Sequence, residues 1–245
     1  MSQPSIRVTN RLSTSRSVIS AIETHGPVVA AAIAAVAPKL GGAQCLALFA
    51  ALAATLKDAT DELQAAELTY GAEQADDDAP RTRRDAATDH GASIAGKGRD
   101  ALVGAFGDAA AARYGLAGTI PHDPPQLLAV LKTSDGLLQA YPAKARTDFG
   151  HEIDTEAIRL VLAAAAQELS NALDGVTTEA RELQVTLVDR DRKLAAWQTV
   201  YVGVAGAVEG LFRLAGEGRL ADYLRPTVRK VSGEDVAEAV VPSPA

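Results

Sequence analysis

Aromatic side chains are scarce in this chain. Aromatic residues make up 4% of its 245 positions, with one tryptophan, one methionine and one cysteine. A core must therefore be assembled from alanine, leucine and valine, and side chains that small suit helices packed at short interaxial distances. The single cysteine, Cys45, rules out a disulfide within the chain, and its apolar helical setting reads as a buried, inert thiol. Runs of β-branched and aromatic residues, which mark strands, are also scarce. Positive charge is in deficit: the net charge is −7, so a phosphate backbone is repelled and nucleic-acid binding is not expected. The basic clusters Arg81, Arg83, Arg84 and Arg190, Arg192, Lys193 are each mixed with aspartate. No uninterrupted apolar run reaches the ~20 residues of a membrane span, and the Ser- and Arg-containing residues 1–24 lead into no cleavable signal. The sequence therefore reads as cytoplasmic, with no membrane partner expected.

Catalytic patterns are missing in the same way. Gly91–Gly98 reads GASIAGKG, but Gly98 stands where a phosphate-binding loop needs a hydroxyl, and no strand precedes it. Gly96, Gly98 and Ala101 match a dinucleotide fingerprint by letter only, without a βαβ setting. These glycines read instead as helix positions that let a neighbour approach. None of His25, His90, His122 and His151 has glutamate three residues before it, as a di-iron bundle requires. Asp123 reads as a helix N-cap. The nucleophile elbow G-x-S-x-G is absent. The expectation is no catalytic residue, no cofactor-binding residue, no metal ligand and no cofactor.

What the chain does have is helical pattern. Val28–Leu56 is nearly all Ala, Leu and Val, broken once at Pro38–Gly42. The spacing predicts a polar arm over 1–12 and helices over 13–25, 27–37, 43–75, 80–114, 124–141, 153–174 and 177–224, with an interruption at Gly216–Gly218 and an extended tail over 227–245. Leu48, Leu52, Leu56, Leu63 and Tyr70 share one broad face of the third helix. Ile158, Val161, Leu162, Ala165, Leu169 and Leu173 form the buried face of a later one. Gly206-x-x-x-Gly210 reads as a close helix contact, and Trp197, Tyr201 and Phe212 as core or interface anchors.

The halves also resemble each other. Setting Tyr114 against Tyr223 aligns residues 81–114 with 190–223, and eight of those 34 pairs are identical, among them Gly107 with Gly216. Leu56 and Asp61 meet Leu169 and Asp174 at a slightly larger offset. The pattern predicts an all-α, elongated helical bundle, a tandem repeat of a helix plus a long αα-hairpin. Its parts are an arm over 1–12, repeats over 13–116 and 121–225 packed as one unit, and a tail over 226–245. Abundant small-residue apolar surface without a polar constellation favours a non-enzymatic interaction or scaffold protein, with a protein partner or a homo-oligomer as its assembly. The alternatives are an enzyme or ligand binder with a pocket between the repeats, and a membrane-active bundle.

Overall fold

Ser5 opens the first helix by accepting the Val8 N–H on its hydroxyl, an N-cap that satisfies one of the helix's free donors. The structure, a computed structural model, describes residues 5–76, 78–146 and 152–234. Helix α1 then runs from Ile6 to Val36 without a break. Two expectations are corrected here: residues 6–12 are helical rather than an arm, and Gly26–Pro27 does not stop the helix. An interior proline costs about 3 kcal/mol. Val18, Ala21 and Ile22 before it and Val29, Ala30 and Ile33 after it are all buried. Each large aliphatic side chain so placed is worth about 1.5–3 kcal/mol, so packing on both sides outweighs the local penalty.

A turn over 37–41 leads to α2 (Gly42–Asp76). Its buried face is Cys45, Phe49, Leu56, Thr60, Leu63, Ala66 and Glu67. Leu48 lies on the exposed side and Tyr70 is half-buried, so the core stripe is rotated from the expected one. Helix α3 (Asp78–Phe106) ends before the expected Tyr114, because Gly107 takes φ +83° and starts the short α4 (Ala109–Arg113). A left-handed φ of this kind is strained for any residue with a Cβ. Asp123 caps α5 (Pro124–Ala140) through the Gln126 N–H, as read from the sequence. Strands β1 (Lys144–Arg146) and β2 (Glu152–Asp154) pair antiparallel, with Ala145 opposite Ile153. The sequence held these residues to be loop and helix start.

Helix α6 (Thr155–Leu214) is 60 residues long. It replaces two expected helices, since Gly175 is tolerated in its interior. The expected interruption near Gly216 is present, with φ +87°, followed by α7 (Gly218–Leu224). The expected extended tail is corrected over Val228–Ser232, which forms α8; 235–245 lie outside the described residues. Among the described residues the fold is all-α apart from six strand residues.

Contacts divide the chain into two units: Met1–Ala75 with Leu183–Ala245, and Asp76–Glu182. Trp197, Tyr201 and Phe212 anchor the first core, as expected, together with Phe49, Leu56 and Leu63. The Trp197 indole stacks on Tyr201 at 5.0 Å and donates to Ser15 Oγ at 2.8 Å; Phe49 meets Phe212 edge-on at 5.9 Å. The second core is leucine-rich, with Leu102, Leu127, Leu131, Leu138, Leu162 and Leu169 fully buried. Tyr114 closes it and donates its hydroxyl to the Tyr141 carbonyl at 2.9 Å. Leu162 is buried as read, but Val161 is half exposed, at 51%.

Candidate functional site

Chemistry needs groups held together, and the described histidines sit in different settings. His25 is buried in the first unit, where its Nε2 has no hydrogen-bond partner among the described residues. His90 pairs with Glu168 at 2.8 Å on an exposed surface of the second unit. His122 lies in the connector before α5, and His151 falls outside the described residues. Cys45 is buried and unpaired by sulfur, in keeping with the sequence reading.

The GASIAGKG segment lies wholly inside α3. A Cβ at Gly91 would sit 3.3 Å from both Leu127 and Leu131, and one at Gly98 3.5 Å from Ile158. Those two glycines do allow close packing. Gly96 does not, and the Gly206–Gly210 pair corrects the sequence reading: with Gly203 it faces open space, with nothing within 4 Å of any of the three Cβ positions.

A groove runs along the seam between α1 and α2. Its apolar part has a volume of about 440 Å³, floored by Ile22, Gly26 and Phe49 and walled by Ile19, Leu46, Ala50 and Ala53. A more polar stretch of about 300 Å³ adds Arg16, Ser20, Thr60 and Asp61 and shares Ile19, Glu23 and Lys57 with the first. The two stretches together follow α1 from Arg16 to Pro27, about three helical turns or ~17 Å. The sequence places apolar residues at Ile19, Ile22 and Gly26 on one helix and at Leu46, Phe49 and Ala53 on the other. The small alanines keep the seam from filling.

The lysine of this groove is not set up as an amine nucleophile. Lys57 bonds Asp61 one turn away at 2.5 Å, and that bond holds the ammonium above its ordinary range. An amine nucleophile needs the opposite shift. Glu23 has no ion-pair partner among the described residues, and Arg16 donates to Gln64 at 3.2 Å. The arrangement is an apolar trough with one free carboxylate on its wall. Leu46 on its wall is 43% exposed, and elsewhere on α1, α2 and the turn between them Val28, Val36, Leu40 and Leu48 are also more than 40% exposed. The groove carries no motif legible in the sequence, because it joins apolar positions of α1 to those of α2.

Helix α1 carries one further property. Continuous through Pro27, it is long and apolar enough to cross a membrane, with a mean hydropathy of 1.5 over its best window, of which 44% is buried. The sequence reading had split this stretch at Gly26 and so found no such span. No family model matches the chain, and neither a curated protein nor a solved structure matches it.

Proposed function

We propose that this protein is a non-enzymatic interaction or scaffold protein that assembles through helix faces, with the α1–α2 groove as the contact and a second copy of the chain as its occupant. The observation that carries the reading is the groove itself, an alanine-walled trough with Ile22 and Phe49 in its floor and the exposed Leu46 on its wall. Contiguous exposed apolar surface of this kind marks interaction sites. A trough with small walls fits a helix that is itself narrow, and α6 offers one at Gly203, Gly206 and Gly210, where among the described residues nothing lies within 4 Å of the Cβ positions. A two-fold pair would use both contacts reciprocally.

Light scattering at micromolar concentration tests this. The wild-type chain should run as a dimer, and Ala53→Glu and Gly206→Glu should each run as folded monomers. A monomeric wild-type chain, or a dimer indifferent to both substitutions, would overturn it.

One observation favours a second reading, a membrane-active bundle. It is the uninterrupted apolar length of α1. Flotation with lipid vesicles discriminates the two: α1 already has its apolar side in the core, so the scaffold reading expects the protein to remain unbound.

We also propose that the chain is a duplicated helix–hairpin. Support comes from Gly107 and Gly216, aligned in sequence, which share a left-handed φ, each ending a long helix and starting a short one. Helices α1 and α2 correspond to α5 and the first part of α6, and α3–α4 to the last part of α6 with α7. Each compact unit then contains two helices from one copy and the third from the other. Gly107→Ala and Gly216→Ala should destabilise alike; a large difference in sign between them would count against equivalent roles.

A further inference from the structure

The start of α1 carries a second concave site, about 240 Å³ in volume, lined by three arginines: Arg7, Arg11 and Arg190. In a chain of net charge −7, three guanidinium groups around one small cavity with no carboxylate in its lining are an anomaly. The remaining walls are Ser5, Val8, Leu63 and Leu194.

Most of the donors have nothing to bond. Arg7 has no hydrogen-bond or ion-pair partner for its side chain among the described residues. Arg11 uses Nε to reach the Val231 carbonyl at 3.0 Å, which leaves both Nη groups unassigned. Arg190 is held in place from two sides. Its Nε and Nη2 bond Asp191 Oδ1 at 3.1 and 2.6 Å, and its guanidinium lies 4.7 Å over the Tyr70 ring. That leaves Nη1.

Two acids stand nearby, and neither closes the site. Asp191 is engaged by Arg190. Glu67, buried behind the helix start, accepts the Ser5 N–H at 2.8 Å through Oε1. Burial first, and then repulsion from Arg7, hold Arg11 below its ordinary range, with Glu67 opposing and Arg190 adding to the effect. An anion among the three would relieve that repulsion.

The geometry points to an oxyanion site that takes a phosphate group between Arg7, Arg11 and Arg190. Phosphate fits better than carboxylate because it presents three or four oxygens to the remaining donors of three arginines, where a carboxylate presents two. The volume lies below the ~300–1,000 Å³ of pockets for drug-sized ligands, so the ligand is inorganic phosphate or a small phosphate monoester. Val8, Leu63 and Leu194 would border its organic part.

The rival ligand is a carboxylate of this chain: Asp235 follows directly on Glu234 in the sequence, and Glu238 comes three residues later. Calorimetric titration of the full chain with inorganic phosphate in low-chloride buffer tests the site, beside three variants. The wild-type chain should bind one phosphate, more weakly as salt is added. Arg7→Gln should weaken binding by about tenfold or more, the loss of a charge-assisted contact. Because Arg7 is exposed and unpaired, that variant should keep the wild-type melting temperature. Arg99→Gln, in the other unit, should bind as wild type. Asp235→Asn with Glu238→Gln should also leave the affinity unchanged. No binding at millimolar phosphate, or equal weakening by Arg7→Gln and Arg99→Gln, would overturn the proposal. So would binding seen only after Asp235 and Glu238 are neutralised, which would assign the arginines to the chain's own acids.

Discussion

The hydrogen bond between Trp197 and Ser15 joins residues 182 positions apart, and both side chains are completely buried. Replacing Ser15 with alanine removes the acceptor and almost no volume. The indole N–H is then stranded in the core, at a cost of about 1–3 kcal/mol. Trp197→Phe keeps a ring against Tyr201 but deletes the donor and part of the indole. It strands the Ser15 hydroxyl and leaves a void, for about 2–4 kcal/mol in total. In the double variant neither orphan remains, so its destabilisation should fall short of the sum by about 1–2 kcal/mol. Urea unfolding followed by far-ultraviolet circular dichroism measures all four corners of this cycle; fluorescence cannot, because Trp197 is the chain's one tryptophan. If Ser15→Ala costs less than about 0.5 kcal/mol, or the two changes simply add, the argument from buried, mutually dependent polar groups is wrong.

Other expectations follow from the same kind of reasoning. Leu162→Ala, at a fully buried site in the second core, should cost about 2–5 kcal/mol in urea melts. Gly206→Ala should raise the stability of the monomeric chain by up to about 1 kcal/mol, because the position is helical and open, whereas Gly216→Ala should lower it by about 1–2 kcal/mol through its φ of +87° alone. Asp154 is held below the usual carboxylate range, first by the Lys144 hydrogen bond and then by the Glu156 N–H. Its contribution to the β1–β2 pairing is therefore present above the ordinary carboxylate pKa and is lost as pH falls through the lowered value. Carbon-detected NMR titration should find Asp154 titrating below the ordinary aspartate range.

Strong helical spacing made the all-α class legible, along with the roles of Leu162, Trp197, Tyr201 and Phe212. The N-cap at Asp123 was legible too, because capping is set by residues a few positions apart. The errors lie where distant contacts overrule local chemistry. Pro27 and Gly175 are breakers by type, yet each sits in a helix, the first held by Val18, Ile22, Val29 and Ile33. Gly107 ends a helix that apolar periodicity alone would continue to Tyr114. The tilt of the α2 core face toward Phe49 and away from Leu48 depends on what α1 and α6 present to it. Neither the α1–α2 groove nor the arginine cavity could be read, since each joins positions far apart in the chain.

The discontinuous make-up of the first unit bears on how the chain emerges from a ribosome. Asp76–Glu182 is a contiguous stretch and can complete its core before synthesis ends. Helices α1 and α2 are made first but must wait for Trp197, Tyr201 and Phe212. At ~5–20 residues per second, over a hundred further residues take roughly ten seconds. Throughout that delay Phe49, Leu56 and Leu63 lack their cover. Nascent chains arrested after Glu182 should accordingly resist protease over 78–146 while being cut within 5–75; equal protection of both would show that the early pair finds another shelter. The last segment translated thus governs when the earliest helices become safe from degradation, so premature termination near the end of α6 should be as damaging as a lesion in α1.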